Sequence, residues 1–187
     1  AVCGGTTPGP VFDLLSVARL DWARVDVVLT DERWVPPSHE RSNAALVTAR
    51  LLTNAAASAR FHALYREAAT PDDALSDLRA SLMPLLPLDI VMLGMGADMH
   101  TASLFPGAPG TEAGLGTDAP SAVAVTAADA PEPRVSLSVP ALGALKARHL
   151  VITGDDKRAA LARAETLTPQ EAPVKAVLPD THVHWAA

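Results

Sequence analysis

Three short runs of β-branched and aliphatic residues limit what this chain can fold into. Val25–Thr30 reads VDVVLT, Asp89–Leu93 reads DIVML and His149–Thr153 reads HLVIT. None has the polarity of a strand with one wet face, so each suits a strand covered on both faces. The last two end at Gly94 and Gly154, where the chain must turn. Ala122–Thr126, Arg134–Ser138 and Val183–Trp185 are weaker strand candidates. Helical patterns fill the intervals, and strands alternating with helices are the mark of βα units around a parallel sheet.

The helix signals are specific. Thr70-Pro71-Asp72-Asp73 offers a capping hydroxyl, a proline at the first helical position and two carboxylates in the first turn. Leu75, Leu78, Leu82 and Leu85 follow at helical spacing. Ser42–Leu52 starts at a capping Ser42 or Asn43 and carries Leu46, Val47 and Leu51 along one face, and Asp155–Ala164 has Leu161 as its anchor. The Gly/Ala/Pro-rich stretch Phe105–Ser121 reads as a loop near or over a site. The expected fold is α/β: a Rossmann-like, doubly wound, mostly parallel sheet with helices on both faces. A chain of 187 residues with 49% hydrophobic content builds one core, so a single domain over 1–187 is expected. Ala1-Val2-Cys3 stands directly before a glycine turn and is too short for a useful strand, so a first βα unit is expected upstream of Ala1.

Composition excludes several classes of function. The net charge of −6 and the lack of a Lys/Arg run argue against nucleic acid as a partner. No apolar run approaches the ~20 residues that cross a bilayer, so no membrane partner is expected. Cys3 is the only cysteine, which removes intrachain disulfides and thiolate metal clusters and fits a reducing cytoplasm.

Candidate chemistry lies at the carboxyl ends of the predicted strands, where open α/β sheets place their ligands. Cys3-Gly4-Gly5-Thr6-Thr7-Pro8 precedes a helix starting near Pro10, and glycines before a helix start let backbone N–H groups approach a phosphate. A turn serving only chain reversal reads the same way. Asp31-Glu32-Arg33 follows the first strand as a loop, in which the acidic pair can orient hydroxyls and Arg33 can hold an anion or a developing oxyanion. Gly94–Pro106 begins like a dinucleotide fingerprint, but Met99 stands where its third glycine belongs, so a nicotinamide cofactor is rejected. What remains is Asp98 two residues before His100, on the same side of an extended segment, where a carboxylate can fix the imidazole tautomer. Arg134 opens a strand, and Lys157 sits in the first turn of a helix, where its unfavourable interaction with the dipole hints at a bound anion. The remaining histidines have no metal-ligand spacing, and no metal or other cofactor is expected.

Taken together these motifs resemble the 6-phosphogluconolactonase family, related in fold to glucosamine-6-phosphate isomerase. CGGTTPGPVF is similar to its S-G-G-[ST]-T-P phosphate loop, TDERWVPPSHERSN to its D-E-R-x-V-P segment, and GMGADMHTASLFPG to its G-M-G-x-D-G-H-T-A-S-L-F-P signature. RVSLSVPAL and GDDK follow in the family's order. The resemblance implies that Gly4, Gly5, Thr6, Arg134 and Lys157 gather a substrate phosphate. It further implies His100 as general base, Asp98 as its neighbour, Arg33 as a binding or oxyanion-side residue and Asp31 among the binding residues. The implied activity is hydrolysis of 6-phosphogluconolactone in the oxidative pentose phosphate pathway, by a cytoplasmic monomer or homodimer. Cys3 and Met99 depart from the family's serine and glycine, and Met99 is expected to place a side chain beside His100. Two rivals share the phosphate site: an amino-sugar-phosphate isomerase using Asp31 as base, and a non-catalytic sugar-phosphate sensor. The T-A-S-L-F-P continuation after His100 resembles the lactonases and not the isomerases.

Overall fold

The computed structural model describes residues 1–127 and 130–187. Five parallel strands form its backbone: β1 (Asp26–Val28), β3 (Arg60–His62), β4 (Leu88–Leu93), β7 (Ala144–Thr153) and β8 (Thr181–Ala186). β1 pairs with β3, and β4 pairs with β7, which pairs with β8. The first residues join the two groups. Val2 bridges Leu29 on one side and Met92 on the other, both in parallel, through Val2 N–H to Val28 O (2.9 Å), Thr30 N–H to Val2 O (3.0 Å) and Met92 N–H to Ala1 O (2.9 Å). Ala1–Cys3 thus lies between the two groups through the single bridges of Val2, directly before the glycine turn. Val27, Val28 and Leu29 of the first run and Val91, Met92 and Leu93 of the second are buried, as unalternating apolar runs require, whereas Ile90 is exposed and in the third run burial alternates, with Leu150 and Ile152 buried and Val151 half-buried.

The sheet is not wholly parallel. Past Thr30 the chain continues into β2 (Asp31–Arg33), which pairs antiparallel with β6 (Arg134–Leu137), itself antiparallel to β5 (Ala122–Val125). The Asp31-Glu32-Arg33 segment is thus a strand and not the expected loop. Its three charged residues carry no strand signal, and the pairing comes from β6, more than 100 positions away in sequence.

Helices α1 (Gly9–Ser16), α2 (Asn43–Arg50), α3 (Pro71–Leu82), α4 (Thr111–Leu115) and α5 (Asp155–Ala164) connect the strands. Thr70 and Asp73 close a capping box on α3, and Leu78 and Leu82 are fully buried beneath it. On α5 the core contacts are Ala160 and Ala164, while the expected anchor Leu161 is only partly buried. α4 interrupts the stretch expected to be loop, with Thr111 and Gly114 buried.

Glu32 ties β2 to α2. Its side chain is fully buried, and both oxygens face the start of the helix. Oε1 accepts from the backbone N–H of Arg33 (2.8 Å) and Asn43 (2.7 Å), and Oε2 from the Ala44 N–H (2.8 Å) and the Ser42 hydroxyl (3.1 Å). A carboxylate at a helix N-terminus satisfies donors that have no intrahelical partner and meets the positive end of the dipole. Burial pushes the Glu32 carboxyl above its ordinary pKa even against these four donors. The residue read from sequence as half of a hydroxyl-orienting acidic pair is structural. Glu32→Ala strands three amides and a hydroxyl, and should lower unfolding free energy by about 3 kcal/mol. Glu40→Ala, at an exposed position nearby, should stay within about 0.5 kcal/mol of the parent. Chemical denaturation of both variants checks this, and equal stability would remove Glu32 from that role.

Candidate active site

The first wall of the site is the glycine turn. After Cys3 the backbone reverses at Gly5 (φ +88°) and enters α1 at Gly9, so the turn lies at the amino end of that helix. Gly4 is required by close approach: a Cβ there would stand 1.9 Å from Asn43 Oδ1. Cys3 is buried, and burial followed by the charge of Asp31 pushes its thiol up to about 12. At neutral pH it is a neutral packing residue and not a nucleophile.

The second wall is the loop after β4. Gly96 N–H donates to His100 O (3.1 Å), Met99 N–H to Gly96 O (3.0 Å), and the Thr101 hydroxyl to Gly94 O (3.0 Å). These bonds fold the loop into a tight turn with Met99 at φ +68° and Ala102 at φ +49°. The segment is therefore not extended as expected, yet the turn brings Asp98 and His100 together. Asp98 Oδ1 accepts from His100 Nδ1 (2.6 Å) and from the His100 backbone N–H (3.2 Å). An ionised carboxylate only accepts, so Nδ1 carries the proton and Nε2 keeps its lone pair. Burial works against ionisation of Asp98, but the bonds from His100 outweigh it and hold the carboxyl below its ordinary pKa. The Met99 side chain packs against the main core and its carbonyl accepts from Val174 N–H (3.1 Å). Phe105 lies against the imidazole, with its ring centroid 4.3 Å from that of His100.

The third wall is cationic. In the β2–β6 register Arg33 lies directly opposite Arg134, an arrangement of like charges that weakens a sheet unless something answers it. Arg134 is 8% exposed, and burial followed by the neighbouring Arg33 lowers its pKa. Its Nε and that of Arg33 are buried without a hydrogen-bond partner among the described residues. Arg33 Nη1 donates to Arg41 O, and Arg41 Nε faces Glu132 Oε1 at 2.8 Å. A buried and a half-buried guanidinium, each with a donor to spare among the described residues, can receive an anion.

Gly4, Gly5, Thr6, Asp31, Arg33, His100, Arg134 and Lys157 all line one cleft of about 220 Å³, with Lys157 reaching it from the first turn of α5. Asp98 stands behind His100 and lines a neighbouring cavity. Asp31 is held rigidly: Oδ1 accepts from the Thr30 hydroxyl (3.1 Å) and Oδ2 from the Ser103 hydroxyl (2.6 Å). Asn43 and Ser103 were not legible as site residues, because Asn43 Nδ2 reaches Asp31 O across 12 positions and Ser103 reaches Asp31 across 72. The Ser42-Asn43 pair gave only its capping signal. His149, His182 and His184 gather on β7 and β8 outside the cleft lining, with His149 Nδ1 2.9 Å from His184 Nε2. Among the described residues no His, Cys, Asp or Glu group is arranged to hold a metal.

Known proteins share this arrangement of chain and fold. The profile of the glucosamine-6-phosphate isomerases/6-phosphogluconolactonase family matches residues 1–185. A 6-phosphogluconolactonase of Mesorhizobium japonicum is 44% identical over 192 aligned residues, covering 100% of this chain and 80% of its own. That of Pseudomonas putida is 41% identical, covering 97% of this chain and 76% of its own. The crystal structure of a 6-phosphogluconolactonase from Shewanella baltica superposes with a TM-score of 0.95 at 35% identity, covering 100% of this chain and 82% of that one. This chain belongs to the glucosamine-6-phosphate isomerase/6-phosphogluconolactonase family.

Proposed function

We propose that this chain hydrolyses 6-phospho-D-glucono-1,5-lactone to 6-phospho-D-gluconate, with His100 as general base. The observation that carries the reading is the Asp98–His100 pair, whose Nε2 is left free in the cleft that also holds Arg33 and Arg134, each with an Nε unpartnered among the described residues. The substrate phosphate is held by the Gly4–Thr6 turn, Lys157 and Arg134, and this remote grip orients the lactone carbonyl. His100 Nε2 takes a proton as water adds to C1, and the imidazolium is stabilised by Asp98. Arg33 faces the tetrahedral oxyanion. The ring C1–O5 bond then breaks, and His100 returns its proton to O5. An isomerase would need Asp31 as a mobile base, whereas both its oxygens already accept hydrogen bonds from Thr30 and Ser103.

In this reading 1–187 is one domain acting in the cytoplasm as a monomer or homodimer. Its parallel strands, in the order β3–β1–(Ala1–Cys3)–β4–β7–β8, are read as a doubly wound, Rossmann-like sheet with helices on both faces. The strand order reverses at the central segment, which is where such sheets bind ligands, and the glycine turn leaves the sheet there. No helix among the described residues is long and apolar enough to cross a membrane.

His100→Ala should lower lactonase turnover by ~10²–10⁴, with Asp98→Asn costing less because the proton acceptor remains. Gly96 offers a second test of the same pair. A Cβ there would meet the His100 ring at 2.3 Å and Asp98 Oδ1 at 2.4 Å, so Gly96→Ala should displace both side chains. Turnover should drop by roughly tenfold or more while the melting temperature hardly moves. Wild-type turnover in His100→Ala would refute the mechanism. For the phosphate grip, Arg134→Ala and Lys157→Ala should each cost roughly tenfold to a hundredfold in kcat/KM on the phosphorylated lactone, mainly through KM. Unphosphorylated gluconolactone should be affected far less, and equal losses on both substrates would take these residues out of the site.

A further inference from the structure

Behind His100 lies a second cavity, of about 520 Å³, which the reaction described above leaves unused. Arg134 lines both cavities, so they adjoin at its guanidinium. Lys157 and the glycine turn line only the first, whereas Arg41, Asp98 and Phe105 line only the second. We infer that Arg41 is a specificity residue that receives the carboxylate created at C1 when the lactone opens. The inference rests on the lactonase reading.

With the phosphate at the turn and Lys157, C1 must lie against His100 Nε2, because Nδ1 is held by Asp98. That places the acyl end beside Phe105, whose ring centroid stands 4.3 Å from that of His100 and which lines the second cavity. Hydrolysis changes the charge at this end alone. Water adds its oxygen to C1, the C1–O5 bond breaks, O5 takes the proton from His100, and the new carboxylic acid releases a proton to solvent. A negative charge thus appears where the lactone had none.

Arg41 is built to meet it. Its backbone carbonyl accepts from Arg33 Nη1, which ties its loop to β2, and its Nε faces Glu132 Oε1 at 2.8 Å as an ion pair without hydrogen-bond alignment. Its side chain is 41% exposed, which leaves the terminal amino groups open to a ligand. Among the described residues Asp98 is engaged by His100, and Glu132 is ion-paired with Arg41 through Oε1. A planar guanidinium matches a carboxylate in two parallel hydrogen bonds.

The test compares two ligands that differ at C1: 6-phosphogluconate, a carboxylate, and glucitol 6-phosphate, an alcohol. Calorimetric affinities for both are measured on the unsubstituted chain, Arg41→Gln and Glu132→Gln. Arg41→Gln should weaken the acid by roughly three- to tenfold and leave the alcohol nearly unchanged, the size expected of a partly exposed charge pair. Glu132→Gln, which frees Arg41 of its counter-ion, should shift the acid-to-alcohol ratio the opposite way, and it keeps the test open if Arg41→Gln fails to fold. An unchanged ratio in both variants overturns the role of Arg41 and leaves the lactonase reading intact. Failure of the unsubstituted chain to bind either compound overturns the sugar-phosphate reading itself.

Discussion

Where a parallel strand ends, its last carbonyls and side chains must meet either water or a partner, and at the end of β1 the partner is Glu32. One buried carboxylate accepts from β2, from the Ser42 cap and from the first amides of α2. It thereby fixes the direction in which the chain leaves the sheet and the place where the helix starts. The guanidiniums of the cleft depend on that joint. Arg33 follows Glu32 on β2, Arg134 lies opposite it on β6, and the loop carrying Arg41 is bonded back to Arg33. A change at Glu32 therefore loosens the fold and misaims the guanidiniums together.

The site gathers several local features that are unfavourable taken singly. Two arginines face each other across a strand pair, Met99 and Ala102 hold positive φ, and Asn43 Oδ1 is buried without a partner among the described residues. Each is unfavourable in isolation. They gather around one cleft, whereas α3, away from it, carries a capping box and buried leucines in the expected places. Such concentration of unfavourable features marks the part of a protein shaped by its ligand. An anion seated between Arg33 and Arg134 would relieve the largest of them.

Much of this was legible in the sequence, and what was not has a physical cause. Buried strands announce themselves through unalternating apolar runs, so β1, β4 and the end of β7 were placed correctly. The first half of β7 reads ALKAR, too polar to signal a strand, and forms one by pairing with β4. β2 was invisible because three charged residues have no strand preference of their own. The Asp98–His100 pairing was foreseen from spacing, although on the wrong backbone, since nothing short-range shows that Met99 adopts a left-handed conformation. Asn43, Ser103 and Arg41 enter the site only through contacts made by distant strands and loops.

That the cleft catalyses, and does not merely bind, is tested most directly by acid release from freshly prepared 6-phospho-D-glucono-1,5-lactone at constant pH, with and without the chain. A catalytic cleft gives a rate proportional to chain concentration, saturable in lactone and suppressed competitively by 6-phosphogluconate. A rate no faster than spontaneous ring opening, from a folded chain that still binds sugar phosphate, would contradict the assignment of His100 as a general base.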